Sequence, residues 1–338
     1  MLFSQNSQLI LRYKKIFKYK KIFFSGNIQD HLPVYLPSIK TGIHITVKNI
    51  FFHEVIKNYK KIYLYENLIV SKKNIKNYNA LIYYWPKNKL EAKFQLYNLL
   101  SCFSINDEIF IVGNNSSGVK NAIKILKKWV ILKKLENAKH SILFSGIIKN
   151  NTTFVLKNYF KTHTWENLFI KTLPGVFGYK KIDTGSKLLA CSINKQVNGE
   201  ILDIGCGSGF LSACILNKSP NSFLTMIDNK ISAIISSQST LSTNNFKGKI
   251  LFSNTYSNIN NKFDLIISNP PFHNDLKIDF YVIKDIITNS IKYLKIGGEL
   301  RFVVNNFFNC KFILKNTFNK YNIIEKTNFY TVYQSFLR

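Results

Sequence analysis

The stretch Glu200–Phe210, EILDIGCGSGF, has the pattern of a buried β-strand that runs through a glycine-rich turn into a helix. The residues that follow, 210–218, continue it with apolar side chains at helical spacing. Glycines let the backbone approach a ligand closely, and the amino end of a helix favours an anionic group. Gly205, Gly207 and Gly209 form G-x-G-x-G, which is one residue shorter than the dinucleotide-binding pattern G-x-G-x-x-G. We therefore expect an α/β domain with a ligand-binding loop after this strand.

Two further strand ends carry polar residues that suit a nucleoside. A predicted strand at 222–227 ends in Asp228, about 20 residues after the loop, where a carboxylate can accept hydrogen bonds from both ribose hydroxyls. The alternative is that Asp228 caps the helix predicted at 230–245. A third strand, 249–254, ends in Asn254, whose side chain could bond the edge of an adenine. We expect ribose at Asp228 and adenine at Asn254.

The fourth strand end carries the most specific signal. Residues 264–268, DLIIS, are followed by Asn269, Pro270, Pro271 and Phe272. The prolines fix φ and offer no N–H, so this backbone is stiff and presents carbonyl acceptors. The asparagine adds a side-chain acceptor and donor, and the phenylalanine offers a face on which a nucleobase can stack. This suits holding a planar amine during attack on an electrophile, although a plain rigid turn would use similar residues. We predict that these four residues are catalytic.

The order of the strand ends predicts the architecture. In an open parallel sheet, ligands bind at the carboxyl ends of the strands, so the four signals should converge on one crevice. Alternating strands and helices favour a doubly wound sheet, with a further strand at 298–304. Residues 321–337 have the pattern of two more strands in a hairpin. We therefore predict a mostly parallel seven-stranded sheet that ends in an antiparallel hairpin.

The first half of the chain resembles a degenerate copy of the second. Three pairs of segments correspond, namely 21–27 with 200–206, 80–90 with 264–274, and 107–115 with 298–306. The copy has one glycine, Gly26, where the other half has three, and the sequence YWPK at 84–87 in place of NPPF. Any two α/β domains could share such strand ends, but we favour a duplicated domain that lost its ligand site. Tyr84 and Trp85 could stack on RNA, and we expect them to serve packing instead.

The composition indicates a folded protein of two domains. Its 338 residues exceed one average domain, and 46% hydrophobic residues are enough for a core. No apolar run reaches the roughly 18 residues of a membrane span. The basic amino terminus lacks the apolar core of a signal peptide, so we predict a cytoplasmic location without membrane attachment. The five cysteines show no metal-binding spacing, which predicts reduced thiols and no metal.

The formal net charge of +29 favours nucleic acid as a partner. Only three of the 47 basic residues are arginines, and lysine, asparagine, isoleucine and phenylalanine are abundant throughout, as is typical of A/T-rich coding. Part of the charge therefore reflects coding bias, and the charge alone is a weak argument for an RNA substrate.

The chain resembles a known family over nearly its whole length. Its glycine loop resembles the first motif of class I S-adenosylmethionine-dependent methyltransferases, in which the loop receives the amino-acid end of the cofactor. The wider resemblance is to the ribosomal RNA small subunit methyltransferase C family. It includes LIYYWPKNK at 81–89, KTLPGVF at 171–177, IDTGS at 182–186 and FDLIISNPPFH at 263–273. The first of these segments is the discriminating one, because methyltransferases in general do not share it.

The resemblance implies a function. Members of the family methylate N2 of a guanine, guanosine 1207, in 16S rRNA of the small ribosomal subunit, with S-adenosyl-L-methionine as the cofactor. They have two tandem class I methyltransferase-like, Rossmann-type domains. Residues 1–165 would be the degenerate one, which supports folding and RNA binding, and residues 166–338 would be the catalytic one. We expect the protein to act as a monomer.

The resemblance also implies roles for individual residues. The positions that match the family's cofactor motifs are Asp203, Gly205, Gly207, Gly209 and Asp228, preceded by a flap that includes Asp183, Gly185 and Ser186. Asn269 and the Pro270 carbonyl would accept the two N–H groups of guanine N2 and aim its lone pair at the methyl group. Phe272 would stack on the base. His273 is more simply a loop histidine than the proton acceptor.

Other functions stay open at this point. A methyltransferase for DNA adenine, another rRNA guanine or protein glutamine would carry the same strand end. A ribosome-assembly scaffold without catalysis would not need the intact loop and asparagine. A dehydrogenase is disfavoured because G-x-G-x-G is the wrong spacing and Asn-Pro-Pro-Phe would have no role.

Overall fold

The computed structural model describes residues 3–47, 52, 54, 59–193, 197–270 and 276–338, with only the backbone at 276–279. The chain divides into two compact units, Met1–Tyr159 and Phe160–Arg338. Each unit has its own sheet and its own core.

The first unit contains a seven-stranded sheet in the order β3-β2-β1-β4-β5-β7-β6. Its strands are β1 Lys21–Gly26, β2 Lys40–Ile45, β3 Ile62–Glu66, β4 Ala80–Tyr84, β5 Glu108–Asn114, β6 Val130–Ala138 and β7 Ser141–Ile148. Its α-helices in the described residues include α1 Gln5–Leu11, α2 Lys14–Phe17, α3 Leu32–Tyr35, α4 Lys72–Ile75, α5 Lys89–Leu100 and α6 Asn121–Leu126. The pairs among β1 to β5 are parallel, and β7 runs antiparallel to both β5 and β6.

The second unit begins with an antiparallel pair and continues as another seven-stranded sheet, in the order β12-β11-β10-β13-β14-β16-β15. Its strands are β8 Lys161–Trp165, β9 Leu168–Thr172, β10 Glu200–Ile204, β11 Phe223–Asp228, β12 Lys249–Phe252, β13 Phe263–Ser268, β14 Leu294–Asn305, β15 Asn322–Lys326 and β16 Tyr330–Phe336. Its helices are α7 Thr184–Cys191, α8 Phe210–Lys218, α9 Ile231–Thr243, α10 Leu276–Tyr293 and α11 Lys311–Phe318.

The two large sheets have the same strand order and the same strand directions. The predicted tandem fold, with a parallel sheet and a terminal antiparallel hairpin in the second half, is confirmed. The register also relates the two halves. In the first sheet, Gly26 pairs with Tyr84. In the second sheet, Ile204 pairs with Ser268, and the next residues along these two strands are Gly205 and Asn269. Gly26 matches Gly205 in the two corresponding segments 21–27 and 200–206. Tyr84 therefore occupies the position of Asn269.

The central strands are apolar because helices cover both of their faces. Leu265 and Ile267 of β13 belong to one core cluster, whereas Ile266 belongs to the cluster on the opposite face. This alternation directs successive side chains to opposite sides. The parallel pairing of β13 with β10 brings the ends of both strands to the same sheet edge. The edge so formed is where the sequence predicts the site.

One strand begins earlier than its sequence indicates. The pair Gly297–Gly298 has the pattern of a turn before a strand at 298–304, but β14 begins at Leu294. A register shift against β13 between Phe263 and Leu265 lets the strand continue through the glycines. Gly298 permits this because a Cβ there would lie 2.9 Å from the Phe263 carbonyl oxygen. The predicted start of this strand at residue 298 was therefore too late, because a bulge absorbs the extra residues.

The aromatic residues at the end of β4 are buried, which confirms that they serve packing. Tyr84 is fully buried, and its hydroxyl lies 2.8 Å from that of Ser7. Trp85 is also buried and donates its indole N–H to the Ser117 carbonyl at 3.2 Å. Among the described helices of both units, none is long and apolar enough to cross a membrane.

Candidate active site

The glycine loop follows β10 and has the backbone conformation that its sequence requires. Gly205, Gly207 and Gly209 have φ values of +73°, +56° and +76°, in the left-handed region that favours glycine. The N–H groups of Gly205 and Cys206 both donate to the Ile227 carbonyl, at 2.9 and 3.0 Å, and so fix the loop to β11. Among the residues that the structure describes, no atom would lie within 4 Å of a Cβ at Gly205. The start of the loop therefore faces open space, as a ligand cradle must.

The third glycine of the loop has a packing role. A Cβ at Gly209 would lie 3.1 Å from Met226 Cε and 3.2 Å from the Cα of Ser237. This glycine thus lets α8 begin close against β11 and α9. Its predicted contact with a cofactor stays a prediction, whereas Gly205 and Gly207 border space that a ligand could fill.

Asp203 on β10 is fully buried beside the loop. Ser212 Oγ donates to its Oδ2 at 2.6 Å, and its Oδ1 has no hydrogen-bond partner among the described residues. Burial raises the pKa of this carboxyl to about 7, against the opposing effect of Ser212 and with a further increase from Asp228. A buried oxygen without a donor is costly, which suits a site that receives a cationic or N–H group from a ligand.

Asp228 closes the glycine loop from the next strand. Its Oδ2 accepts a hydrogen bond from the N–H of Gly207 at 3.0 Å, and its Oδ1 accepts one from the N–H of Lys230 at 2.9 Å. Burial raises its pKa, and these two backbone bonds oppose the increase. The alternative interpretation of Asp228 as the cap of the following helix is wrong, because the N-cap of α9 is Lys230 and no described side chain caps that helix. Its place beside the loop is the predicted one, and its contact with ribose stays a prediction.

Asn254 is exposed and lies beyond the end of β12, which stops at Phe252. Its N–H donates to Ser257 Oγ at 3.2 Å, and its carbonyl accepts from the Ser257 N–H at 3.0 Å. The preceding residue, Ser253, donates its N–H to the Asp228 carbonyl at 2.9 Å. The chain at Asn254 is thus fixed near Asp228, and its predicted contact with adenine stays a prediction.

The side-chain amide of Asn269 is fixed by the start of α7. Its Nδ2 donates to Asp183 Oδ2 at 3.0 Å and to Ser186 Oγ at 2.7 Å. A carboxylate can only accept hydrogen bonds, so the nitrogen of the amide must face Asp183. The amide oxygen then points the other way, and this Oδ1 is buried without a partner among the described residues. The arrangement presents one oriented acceptor at the end of β13.

Sequence reasoning placed Asp183 and Ser186 over a cofactor and missed their bonds to Asn269. Asp183 also caps α7, because its Oδ2 accepts from the Ser186 N–H at 2.8 Å. The capping pattern was a local signal for the helix start. Nothing local indicated a partner 86 residues away. Gly185 lies where a Cβ would be 3.0 Å from the Tyr330 ring, so packing requires a glycine there, and its contact with a cofactor stays a prediction.

The remaining predicted residues lie around the same strand end. Pro270 is buried, and Ser268 before Asn269 donates its hydroxyl to the Ile204 carbonyl at 2.8 Å, which binds the end of β13 to that of β10. Pro271, Phe272 and His273 lie outside the described residues, so their roles stay predictions. Cys206 is buried and accepts a hydrogen bond from Ser237 Oγ at 3.3 Å. Burial raises the pKa of this thiol, which agrees with a packing role rather than a reactive one.

The equivalent position in the first unit is closed by its own chain. Gly26 has φ of +90°, and the N–H of Asn27 donates to the Tyr84 carbonyl at 2.8 Å. A Cβ at Gly26 would overlap that carbonyl oxygen, whereas a Cβ at Gly205 would meet nothing. Phe24, in the place of Asp203, is fully buried. At this strand end, the described residues of the first unit therefore lack the open loop and the buried carboxylate of the second.

Four features together define a class I methyltransferase domain. They are a mostly parallel seven-stranded sheet, an open glycine loop after β10, an acidic residue after β11 and an oriented asparagine after β13. The comparison with known families agrees. The model described as "Methyltransferase small domain" matches residues 167–334, and "Methyltransferase small domain N-terminal" matches residues 7–163. Relatives that are 56% and 36% identical to this chain over nearly its full length carry the name ribosomal RNA small subunit methyltransferase C, so the chain belongs to that family.

Curated relatives carry that family name over the full chain. The sequence is 56% identical to ribosomal RNA small subunit methyltransferase C of Buchnera aphidicola subsp. Acyrthosiphon pisum, with 100% of both chains covered. It is 36% identical to the Klebsiella pneumoniae protein of the same name, over 99% of this chain and 97% of that one. A solved structure of the Thermus thermophilus 16S rRNA N2 G1207 methyltransferase, in complex with AdoMet and guanosine, matches with a TM-score of 0.83. At 16% identity, over 99% of this chain and 92% of that one, it supports the fold.

Proposed function

We propose that the protein transfers a methyl group from S-adenosylmethionine to the exocyclic N2 of one guanine in 16S rRNA, at the position named G1207 in the Thermus thermophilus enzyme. The observation that carries the proposal is the oriented Oδ1 of Asn269 at the end of β13, which is buried without a hydrogen-bond partner among the described residues. The names of the relatives support the choice of 16S rRNA. The geometry supports an amine as the group that receives the methyl, because Oδ1 of Asn269 can accept a hydrogen bond only from an N–H or O–H donor.

The residues of the loop fit the cofactor. In the described part of the chain no donor reaches Oδ1 of Asp203, and the ammonium of an amino-acid moiety would supply one. Gly205 and Gly207 leave space beside that carboxylate, since a Cβ at Gly207 would approach only the Gly205 oxygen, at 3.9 Å. We assign the amino-acid end to these residues together with Gly209, the ribose to Asp228, and the adenine edge to Asn254. Asp183, Gly185 and Ser186 would border the cofactor from α7. When bound, the cofactor supplies a sulfonium-activated methyl group, so neither a metal nor a covalent nucleophile is needed.

The task of Asn269 is to orient the amine. The lone pair of guanine N2 is delocalised into the ring, and its two N–H groups lie in the ring plane. Oδ1 of Asn269 would accept one N–H and the Pro270 carbonyl would accept the other. Both bonds strengthen as positive charge develops on the nitrogen, so they stabilise the transition state more than the ground state. Pro271 would stiffen the backbone, and Phe272 would stack on the base.

The target base has to leave its helix to reach this site. The edge of a paired base is shielded, so an unpaired or extruded guanine is the reactive form. The formal net charge of +29 would attract the phosphate backbone. We assign catalysis to residues 166–338 and support of folding and RNA binding to residues 1–165. The closed strand end at Gly26 and Tyr84 supports this division of roles. With ribosomal RNA as the substrate, a cytoplasmic, monomeric enzyme is the simplest expectation.

The proposal is tested by mapping the modified nucleotide. Small-subunit RNA that lacks the modification is incubated with the protein and labelled cofactor, and nuclease fragments are read by mass spectrometry. One methyl group on N2 of a single guanine is the expected result. DNA and protein substrates are run in parallel, since transfer to either one instead would replace the proposal. Absence of cofactor binding in calorimetry would favour a scaffold without catalysis.

A further inference from the structure

A carboxylate lies directly behind the amide that orients the substrate. Asp183 Oδ2 accepts two hydrogen bonds, from the Ser186 N–H at 2.8 Å and from Asn269 Nδ2 at 3.0 Å. Among the described residues, Asp183 forms no ion pair with a lysine, arginine or histidine. Its negative charge is therefore held by hydrogen bonds, one of which runs through the Asn269 amide toward the reacting nitrogen.

We propose that Asp183 is a positioning residue that fixes the orientation of the Asn269 amide and strengthens its free oxygen as an acceptor, with Ser186 as a second anchor. This inference rests on the proposed function. The orientation of the Asn269 amide follows from the fact that its nitrogen donates hydrogen bonds and its oxygen only accepts them. A flipped amide would place its oxygen about 3 Å from a carboxylate oxygen, where no proton can lie between them, and would turn the NH2 group toward the substrate amine. Such a site would present a donor where an acceptor is needed.

The carboxylate of Asp183 also polarises the Asn269 amide and so strengthens its oxygen as an acceptor. An amide that donates to a carboxylate gains electron density on its oxygen, because hydrogen bonds in a chain strengthen one another. The substrate amine becomes cationic as it is methylated, so a stronger acceptor and a nearby negative charge both favour the transition state. Asp183 thereby acts through Asn269 and does not itself remove a proton.

Capping of α7 alone does not account for this arrangement. Asparagine, serine and threonine cap helices about as well as aspartate. A capping residue needs only the bond to Ser186, whereas here the same oxygen also holds the Asn269 amide. The variant Asp183→Asn therefore separates the two roles. It keeps an acceptor for the cap and removes the charge.

The chain offers a matched control. In α10, Asn289 Nδ2 donates to Asp285 Oδ1 at 2.6 Å, which is another aspartate that holds an asparagine amide. Asp285→Asn removes the same charge and keeps an acceptor, at a position with no assigned role in the site. Ser186→Ala is the second test variant, because it removes one anchor of the Asn269 amide and leaves the Asp183 cap in place.

The first measurement compares single-turnover methyl transfer to small-subunit RNA with cofactor affinity from calorimetry. Charge-assisted hydrogen bonds are roughly twice as strong as neutral ones, so Asp183→Asn should slow transfer about tenfold at saturating cofactor, beyond any change in the cofactor Kd. Ser186→Ala should slow transfer by a smaller factor, and Asp285→Asn should leave it unchanged. An unchanged rate in Asp183→Asn, or a weakened cofactor Kd with an unchanged rate, would overturn the inference.

The second measurement needs neither cofactor nor RNA. The ¹⁵N side-chain resonances of Asn269 are assigned by their loss in Asn269→Ala. In the wild type they should exchange slowly with water and be shifted by the carboxylate, and in Asp183→Asn the shift should be lost. Fast exchange in the wild type would contradict the inference. If Asp183→Asn does not fold, Ser186→Ala in the same spectrum still tests the anchoring. A wild type without transfer to RNA would count against the proposed function and leave this spectral test intact.

Discussion

Asn269→Ala removes the buried acceptor at the end of β13 and leaves the glycine loop unchanged, so it should separate methyl transfer from cofactor binding. A single oriented transition-state hydrogen bond in an active site contributes a factor of about 100 to 1,000 in rate. We expect a fall in the single-turnover rate of that order, or about 3–4 kcal/mol in the activation free energy. The cofactor Kd should change by less than about twofold.

The same substitution also removes the bonds from Asn269 to Asp183 and Ser186. Each such bond contributes about 1 kcal/mol to stability, and somewhat more where the acceptor is charged, so the free energy of unfolding should fall by about 2–3 kcal/mol. Asn151→Ala is a suitable control. Asn151 Nδ2 also donates two hydrogen bonds, to the carbonyls of Leu100 and Phe103, and it lies in the other unit.

The assay is a quenched-flow or manual single-turnover reaction with excess enzyme, together with calorimetry and chemical denaturation of each variant. Asn151→Ala should lose stability and keep its rate, and Asn269→Ala should lose its rate and keep its cofactor affinity. Full transfer by a folded Asn269→Ala variant would refute the reasoning that the amide oxygen orients the amine.

Three further predictions concern the glycine loop, the buried Asp203 and the lysines. Gly205→Ala should weaken cofactor binding with a modest loss of stability, because its Cβ enters open space, whereas Gly209→Ala should lower the free energy of unfolding more, because its Cβ meets Met226 and Ser237. Calorimetry and denaturation measure the two effects, and an unchanged cofactor Kd in Gly205→Ala would contradict a ligand-binding role of the loop. The Asp203 pKa of about 7 is raised above its unfolded value, so ionisation of this group favours unfolding. The wild type should therefore lose up to about 4 kcal/mol relative to Asp203→Asn as pH rises from 4 to 7, and cofactor affinity should rise over the same range; parallel pH profiles for the two proteins would contradict the assignment. RNA affinity should fall steeply between about 50 and 200 mM salt, and a flat dependence would show that the lysines do not contact phosphate.

Much of the fold is predictable from local sequence because each element has a local cause. The alternation of apolar strands with helical segments gives β10 to β13 nearly at their observed bounds. The positive φ values of the loop need glycine, and the sequence supplies it at Gly205, Gly207 and Gly209. The start of β14 was missed, because a bulge is decided by the neighbouring strand and not by the Gly297–Gly298 pair itself.

The site was predictable as a set of strand ends and not as a set of contacts. Parallel strands place Asp203 and Asn269 at one edge, which strand order alone implies. The bonds of Asn269 to Asp183 and Ser186 join residues 86 and 83 positions apart, and a single sequence carries no signal for such a pair. Asp228 shows the same limit, because its carboxylate accepts from the N–H groups of Gly207 and Lys230, and the first of these bonds closes the loop across two strands.

The most direct test of the central claim is the position of the methyl group on the product of the purified protein. Small-subunit RNA from cells that lack the modification is treated with the wild type and with Asn269→Ala, and each modified nucleotide is identified by mass spectrometry. We expect N2-methylguanosine at a single site, the equivalent of G1207, with the wild type alone. A methyl group on a ring nitrogen or another base, or equal modification by Asn269→Ala, would contradict the account.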